Sequence, residues 1–262
     1  MEYMIRVEPG VRVYVNDINP SGRKTVRFMH GWPASHRLFE YQYNVLPQNG
    51  YRCIGIDTRG FGQSDKPWSD YGYNRLADDL FVVIRELNLH NAALLGHSTS
   101  GAVAIRYMAR HNGYGISRLI LCAAAAPSLV KRPYFPEGVD EEVIKNIIDS
   151  AYKDRPAMLK DFGSRFFHFE VSPGIHEWLF LMGMQAAGWS TIAIAKDWLV
   201  EEMFADMPKI KVPALILQGV HDQIVPFPLA QALNAGIRNS RLVVFENSGH
   251  GLFYDEMDKF NA

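Results

Sequence analysis

A chain of 262 residues, 48% hydrophobic and 21% charged, is long enough for one large domain or two small ones around a substantial core. Its formal net charge of -1 gives no electrostatic reason to expect nucleic acid or an anionic membrane as partner. No apolar run approaches the ~20 residues that cross a bilayer.

Residues 3–7 and 11–16 alternate around Pro9-Gly10 and predict an antiparallel hairpin. This charged, alternating start is unlike a signal peptide, so a cytoplasmic location is the expectation. Residues 25–29 predict a short strand running into His30-Gly31-Trp32-Pro33, and a helix is expected over 35–46. Residues 52–56 read as a buried strand ending at Asp57, followed by a loop to about residue 71. Helical spacing through Leu76, Leu80, Val83, Ile84 and Leu87 predicts a helix over 73–87.

The strand expected over 92–95 leads into Gly96-His97-Ser98-Thr99-Ser100-Gly101 and then a helix to about residue 111. Strand, sharp glycine-bearing turn and helix expose a serine at the strand tip and aim a helix N-terminus at the same spot. Ser98 is therefore the candidate nucleophile. Residues 118–122 predict another strand. Cys53 and Cys122 both fall on apolar strands and are expected as buried free thiols rather than a disulfide.

From 126 to 207 the strand rhythm breaks. Helices are expected over 141–152, 156–167, 175–187 and 190–204, rich in Phe, Met and Trp. This segment is expected to form a helical cap inserted in a core of residues 1–125 and 208–262, with Trp32, Phe162, Phe166, Trp189 and Ile224 as candidate substrate-binding residues. Strands return at 214–218 and 241–245, with helices over 227–235 and from about 252. Alternating strands and helices predict an α/β fold with a mostly parallel sheet of eight strands, covered on both faces.

A serine hydroxyl needs a base within reach, and the base needs an orienting acid. Asp222 and His250 each follow a predicted strand directly, and loops at the carboxyl ends of parallel strands emerge at one sheet edge. Ser98, Asp222 and His250 in this order form the candidate triad. Backbone N–H groups of Trp32 and Thr99 are the candidate oxyanion hole; Pro33 has no N–H to offer. Asp57 is an alternative acid but is better explained as structuring the Arg59-Gly60-Phe61-Gly62 loop. His97 is expected to be structural, and His221 has no assigned role. Gly60-Phe61-Gly62 lacks the third glycine and the helix of a dinucleotide fingerprint, and no zinc-type motif is present, so no cofactor or metal is expected.

These residues resemble the α/β-hydrolase superfamily, and within it the cofactor-free haloperoxidase, perhydrolase and aryl esterase group. The resemblance rests on Phe28-Met29-His30-Gly31-Trp32-Pro33, Asp57-Thr58-Arg59-Gly60-Phe61-Gly62-Gln63-Ser64, Gly96-His97-Ser98-Thr99, Val220-His221-Asp222-Gln223-Ile224-Val225-Pro226 and Asn247-Ser248-Gly249-His250. It implies hydrolysis of small carboxylic esters and, in some members, perhydrolysis with peroxide; a serine hydrolase of a small, rather apolar carboxylic ester or lactone is the expectation. By the resemblance Ser98, Asp222 and His250 match the triad, and Trp32 and Thr99 the oxyanion positions. A serine nucleophile sets the chain apart from the dehalogenases and epoxide hydrolases of this fold. A carbon–carbon bond hydrolase, a hydroxynitrile lyase and a ligand sensor with little turnover are the alternative readings. The expected partner is a small ester substrate, and a homo-oligomer is compatible with the sequence.

One departure stands at position 100, where the group has Gly and this chain has Ser. Either the Ser100 side chain bonds back to helix carbonyls, or it tilts Thr99 and loosens the oxyanion hole. In the second case Ser100→Gly should raise turnover.

Overall fold

The computed structural model describes residues 1–262. One sheet contains all eight strands: β1 (Glu2–Glu8), β2 (Val11–Ile18), β3 (Lys24–Met29), β4 (Tyr51–Ile56), β5 (Ala92–His97), β6 (Ile116–Cys122), β7 (Ala214–Gly219) and β8 (Ser240–Phe245). Their order across the sheet is β1-β2-β4-β3-β5-β6-β7-β8. The first two pairings, β1 with β2 and β2 with β4, are antiparallel, and all the others are parallel. Strand count, strand type and the antiparallel edge all agree with the sequence reading.

The helices are α1 (Glu40–Val45), α2 (Tyr73–Glu86), α3 (Thr99–Arg110), α4 (Glu141–Ser164), α5 (Pro173–Gln185), α6 (Gly188–Trp198), α7 (Phe227–Gly236), α8 (Leu252–Asp255) and α9 (Met257–Asn261). On one face of the sheet α2 and α3 pack together. On the other, α1 meets the C-terminal helices, where Gln42 Nε2 donates to the Phe253 carbonyl at 2.8 Å. Because both faces are covered, the inner ends of β3, β4 and β5 are continuously buried rather than alternating. Cys53 and Cys122 are buried free thiols, as expected.

The helix expected over 190–204 ends early, at Trp198, and three others also differ from expectation. The helix expected over 35–46 begins as a 3₁₀ turn, His36–Phe39, because Asp57 Oδ1 takes both the His36 amide (2.6 Å) and its Nδ1 (2.8 Å) and draws the first turn toward the sheet. The two expected helices, 141–152 and 156–167, form one bent element. Asp154 has φ -151° and ψ 78°, and its Oδ1 caps the second limb by accepting from the Ala157 amide at 3.0 Å. The C-terminal helix breaks at Glu256, whose carboxylate turns back to accept from the Asn247 amide (3.0 Å) and Ser248 Oγ (2.7 Å).

Between β6 and β7 the chain forms α4, α5 and α6 and no strand. We propose residues 126–207 as a cap inserted in the core. No single helix is long and apolar enough to cross a membrane.

Arg27, in the middle of β3, is fully buried, and all three guanidinium nitrogens lack a protein acceptor. Burial pulls its pKa down to about 9, so it remains charged near neutrality. An uncompensated buried charge is costly, and an unbranched apolar side chain fills similar space. Arg27→Met is therefore expected to stabilise the fold by about 1–4 kcal/mol. That corresponds to a Tm rise of several degrees, at roughly 2–4 °C per kcal/mol in a chain of this size. Thermal unfolding followed by circular dichroism checks it; an unchanged or lower Tm would mean Arg27 is compensated.

Candidate active site

Strand β5 ends at His97 and α3 begins at Thr99, leaving Ser98 alone on the turn with φ 55° and ψ -123°. Such a conformation costs a serine of order 1–3 kcal/mol, so the surroundings must hold it. The Ser98 amide donates to the Cys122 carbonyl (2.9 Å), and the Ser98 carbonyl accepts from the amides of Gly101 (2.8 Å) and Ala125 (3.0 Å). Glycine is needed on both sides of this turn. A Cβ on Gly96 would run into the Ser100 carbonyl, and one on Gly101 into Ala124. The close approach on the helix side thus falls at 101.

Ser100 follows neither expected course. Its Oγ donates at 2.5 Å to the carbonyl of His30, in the loop after β3. The hydroxyl ties the first turn of α3 to the loop that carries Trp32, instead of bonding within the helix or prising it away. Ser100→Ala removes that tie, and a hydrogen bond contributes about 0.5–1.5 kcal/mol net. The expected result is a kcat lowered about 2- to 10-fold with KM little changed, the reverse of a gain in turnover. Steady-state kinetics with 4-nitrophenyl acetate decides the sign.

Asp222 and His250, in the loops after β7 and β8, meet at the same sheet edge. Asp222 Oδ2 accepts from His250 Nδ1 at 2.8 Å, and both side chains are fully buried. The carboxylate is held from three more directions. Its Oδ1 accepts from the amides of Ile224 and Val225, each at 2.8 Å, and its Oδ2 from Gln218 Nε2 at 2.9 Å. With Nδ1 donating to Asp222, the neutral imidazole presents a bare Nε2. That nitrogen is buried and has no protein partner. His97, next to Ser98 in the chain, has its Nε2 3.1 Å from the His250 carbonyl, and its ring packs on His250 at 4.6 Å. No hydrogen bond joins Ser98 to Nε2 in this structure.

The Trp32 and Thr99 amides donate to no backbone or side-chain acceptor, as an oxyanion hole requires. Gly31 makes room for the approach, since a Cβ there would lie 2.5 Å from His97 Nδ1 and 2.8 Å from Ser98 Cβ. Helix α6 of the cap grips both amide-bearing residues through indoles. Trp198 Nε1 donates to Thr99 Oγ1 at 3.0 Å, and Trp32 Nε1 donates to the Thr191 carbonyl at 3.0 Å. The two indoles meet edge to face at 4.8 Å. Trp198 was not singled out from sequence, because an aromatic at the end of a cap helix looks the same whether it packs or positions.

A cavity of about 50 Å³, room for a few water molecules, opens beside Ser98 and Thr99. Trp32, Phe162 and Ile224 line it, as expected. Phe166 and Trp189 do not. Phe166 is buried behind His250, edge-on at 5.1 Å, where it shields the imidazole. Trp189 is 40% exposed, and its Nε1 donates to the Pro67 carbonyl at 2.8 Å on the far side of α6. Leu129, Val139, Ile144 and Trp198 complete the apolar wall instead.

The remaining candidates have structural places. Burial pushes the Asp57 carboxyl up, but hydrogen bonds from His36 and the Gln63 amide outweigh it and hold it below its usual range. It braces the loop and does not meet His250. Burial drives His97 well below the usual imidazole range, consistent with a neutral ring that donates from Nε2. His221 stacks on His168 of the cap at 3.9 Å, a contact between segments far apart in sequence. No three His, Cys, Asp or Glu side chains converge as metal ligands.

A family model described as "Alpha/beta hydrolase family" matches residues 28–262. The chain is 46% identical to the AB hydrolase superfamily protein YisY of Bacillus subtilis, over 100% of this chain and 97% of that relative. Among solved structures, it is similar to an esterase from Exiguobacterium antarcticum, with TM-score 0.97 and 40% identity over 100% of this chain and 97% of that one. A bromoperoxidase from Bacillus anthracis follows with TM-score 0.93 and 30% identity over 100% and 97%.

Proposed function

The chain belongs to the alpha/beta hydrolase family, in its haloperoxidase and esterase group, and on that premise we propose that it is a serine hydrolase of small, rather apolar carboxylic esters or lactones. The observation that carries this reading is the buried Asp222–His250 pair presenting an unpartnered Nε2 at the sheet edge that holds strained Ser98.

In the first step His250 Nε2 takes the Ser98 proton as Oγ bonds to the ester carbonyl carbon. The carbonyl π electrons move to oxygen, which the Trp32 and Thr99 amides hold. Collapse of that oxyanion breaks the bond to the alcohol oxygen, and His250 returns its proton to the leaving alkoxide. Water then repeats the sequence on acyl-Ser98: His250 takes one proton, the hydroxide adds, and the acid leaves as Oγ regains its proton. Hydrogen peroxide in place of water would give a peracid, a side activity that similarity to a bromoperoxidase supports. Asp222 holds His250 in the needed tautomer and stabilises its cation. The helix dipole of α3 adds to the field at the oxyanion.

The size of the cavity supports small acyl groups, and its apolar wall supports uncharged chain next to the reacting carbon. Reaction with a fluorophosphonate probe, followed by mass spectrometry, is expected to add one phosphonyl group, on the peptide containing Ser98. Absence of labelling would remove the acyl-serine reading.

A further inference from the structure

The cavity beside Ser98 is apolar except for four side chains, and only one of these, Arg165, carries a charge. Arg165 caps the C-terminal end of α4. Its Nη2 donates to Asp161 Oδ2 at 2.7 Å, but Asp161 is 71% exposed, and an i,i+4 pair so open to solvent binds weakly. Its Nη1 meets no acceptor in the protein, so the guanidinium keeps a free donor edge.

The same residue lies at a junction. Val143, Ile147, Phe162 and Arg165 line both the cavity and a second, larger space of about 470 Å³ between the limbs of bent α4. That groove also holds Lys153, Asp154 and Asp161. Its two carboxylates are already engaged, Asp154 on the Ala157 amide and Asp161 on Arg165, whereas Lys153 forms no ion pair. The groove's two carboxylates and two cations balance, and of these four only Arg165 also lines the cavity beside Ser98. No carboxylate lines the cavity, and Asp222 is fully buried and bonded to His250. A neutral ester gains nothing from this arrangement. One that carries a carboxylate a few atoms from its carbonyl can seat that group on Arg165 while its chain lies on the apolar wall.

We infer that the substrates are short esters or lactones bearing a carboxylate, and that Arg165 binds it. The inference rests on the hydrolase reading above and narrows it. The test compares mono-4-nitrophenyl glutarate with 4-nitrophenyl valerate, which differ in having a carboxylate or a methyl group at the chain end. A second arm compares 4-acetoxybutanoate with butyl acetate, so that the anion sits on the alcohol side. In one arm or the other, wild-type protein should favour the anionic ester in kcat/KM. Arg165→Gln should lower that anionic-to-neutral ratio roughly 10- to 100-fold, the range of a charge-assisted hydrogen bond. Arg165→Lys should retain part of it, and 0.5 M NaCl should weaken the wild-type preference. A ratio near or below one in both arms, or one that Arg165→Gln leaves unmoved, overturns the inference while neutral ester turnover and Ser98 labelling preserve the hydrolase reading. Failure to cleave any ester together with no labelling overturns both.

Discussion

Ser98→Ala is expected to lower kcat for 4-nitrophenyl acetate by about 10⁴- to 10⁶-fold, down to what binding and the oxyanion hole supply without a nucleophile. The fold should survive the change. The Ser98 hydroxyl makes no hydrogen bond that supports the turn, which is held through the Ser98 amide and carbonyl. Alanine also tolerates φ 55° no worse than serine does. Circular dichroism and Tm should match those of the parent, and fluorophosphonate labelling should vanish. Wild-type turnover in this variant would place the nucleophile elsewhere.

Asp222→Asn should cost about 10⁴-fold in kcat near neutral pH, because it changes a proton position rather than a shape. All four groups facing the carboxylate are donors: the amides of Ile224 and Val225 on Oδ1, and Gln218 Nε2 and His250 Nδ1 on Oδ2. An asparagine NH₂ must oppose one of these pairs. If it faces the two amides, two buried donors lose their acceptor, and the loop after β7 is destabilised by about 1–3 kcal/mol for each. If it faces His250, Nδ1 must become the acceptor and the proton moves to Nε2. The nitrogen that should take the Ser98 proton is then already protonated. Kinetics and thermal unfolding on the same sample separate the two outcomes, since the second opposes only Gln218 Nε2, which keeps the Val225 carbonyl as acceptor, and lowers Tm less than the first. A loss under tenfold would remove Asp222 as the orienting acid.

The skeleton of the site was legible because each part announces itself locally. Gly96 to Gly101 sits between an apolar strand and a helix of small residues, and such a junction can only be a tight turn. Asp222 and His250 each close a strand, and parallel strands bring their carboxyl ends to one edge whatever the intervening sequence. The eight strands were recovered for the same reason. At two boundaries a carboxylate draws on the backbone, as Asp57 does at His36 and Glu256 does at Asn247.

The pocket was much less legible. Phe162, Phe166, Trp189 and Trp198 are all large aromatic residues of the cap, and helical spacing cannot rank them. Phe162 lines the cavity, Phe166 backs the His250 imidazole, Trp189 is 40% exposed, and Trp198 both lines the cavity and holds Thr99.

The amino-acid sequence by itself determined the eight strands, the parallel edge and which serine, aspartate and histidine that edge would gather, since those follow from periodicity and turn chemistry within about twenty residues. Tertiary structure alone decided that Ser100 braces the His30 loop across 70 residues, that Trp198 reaches Thr99 across 99, and that Arg165 is the one charge in the cavity wall. The first joins α3 to the loop after β3, the second depends on the docking of α6, and the third on how bent α4 lies against the core. Contacts between segments far apart in the chain set these, and there side-chain shape and hydrogen-bond partners, rather than local spacing, select one packing among many.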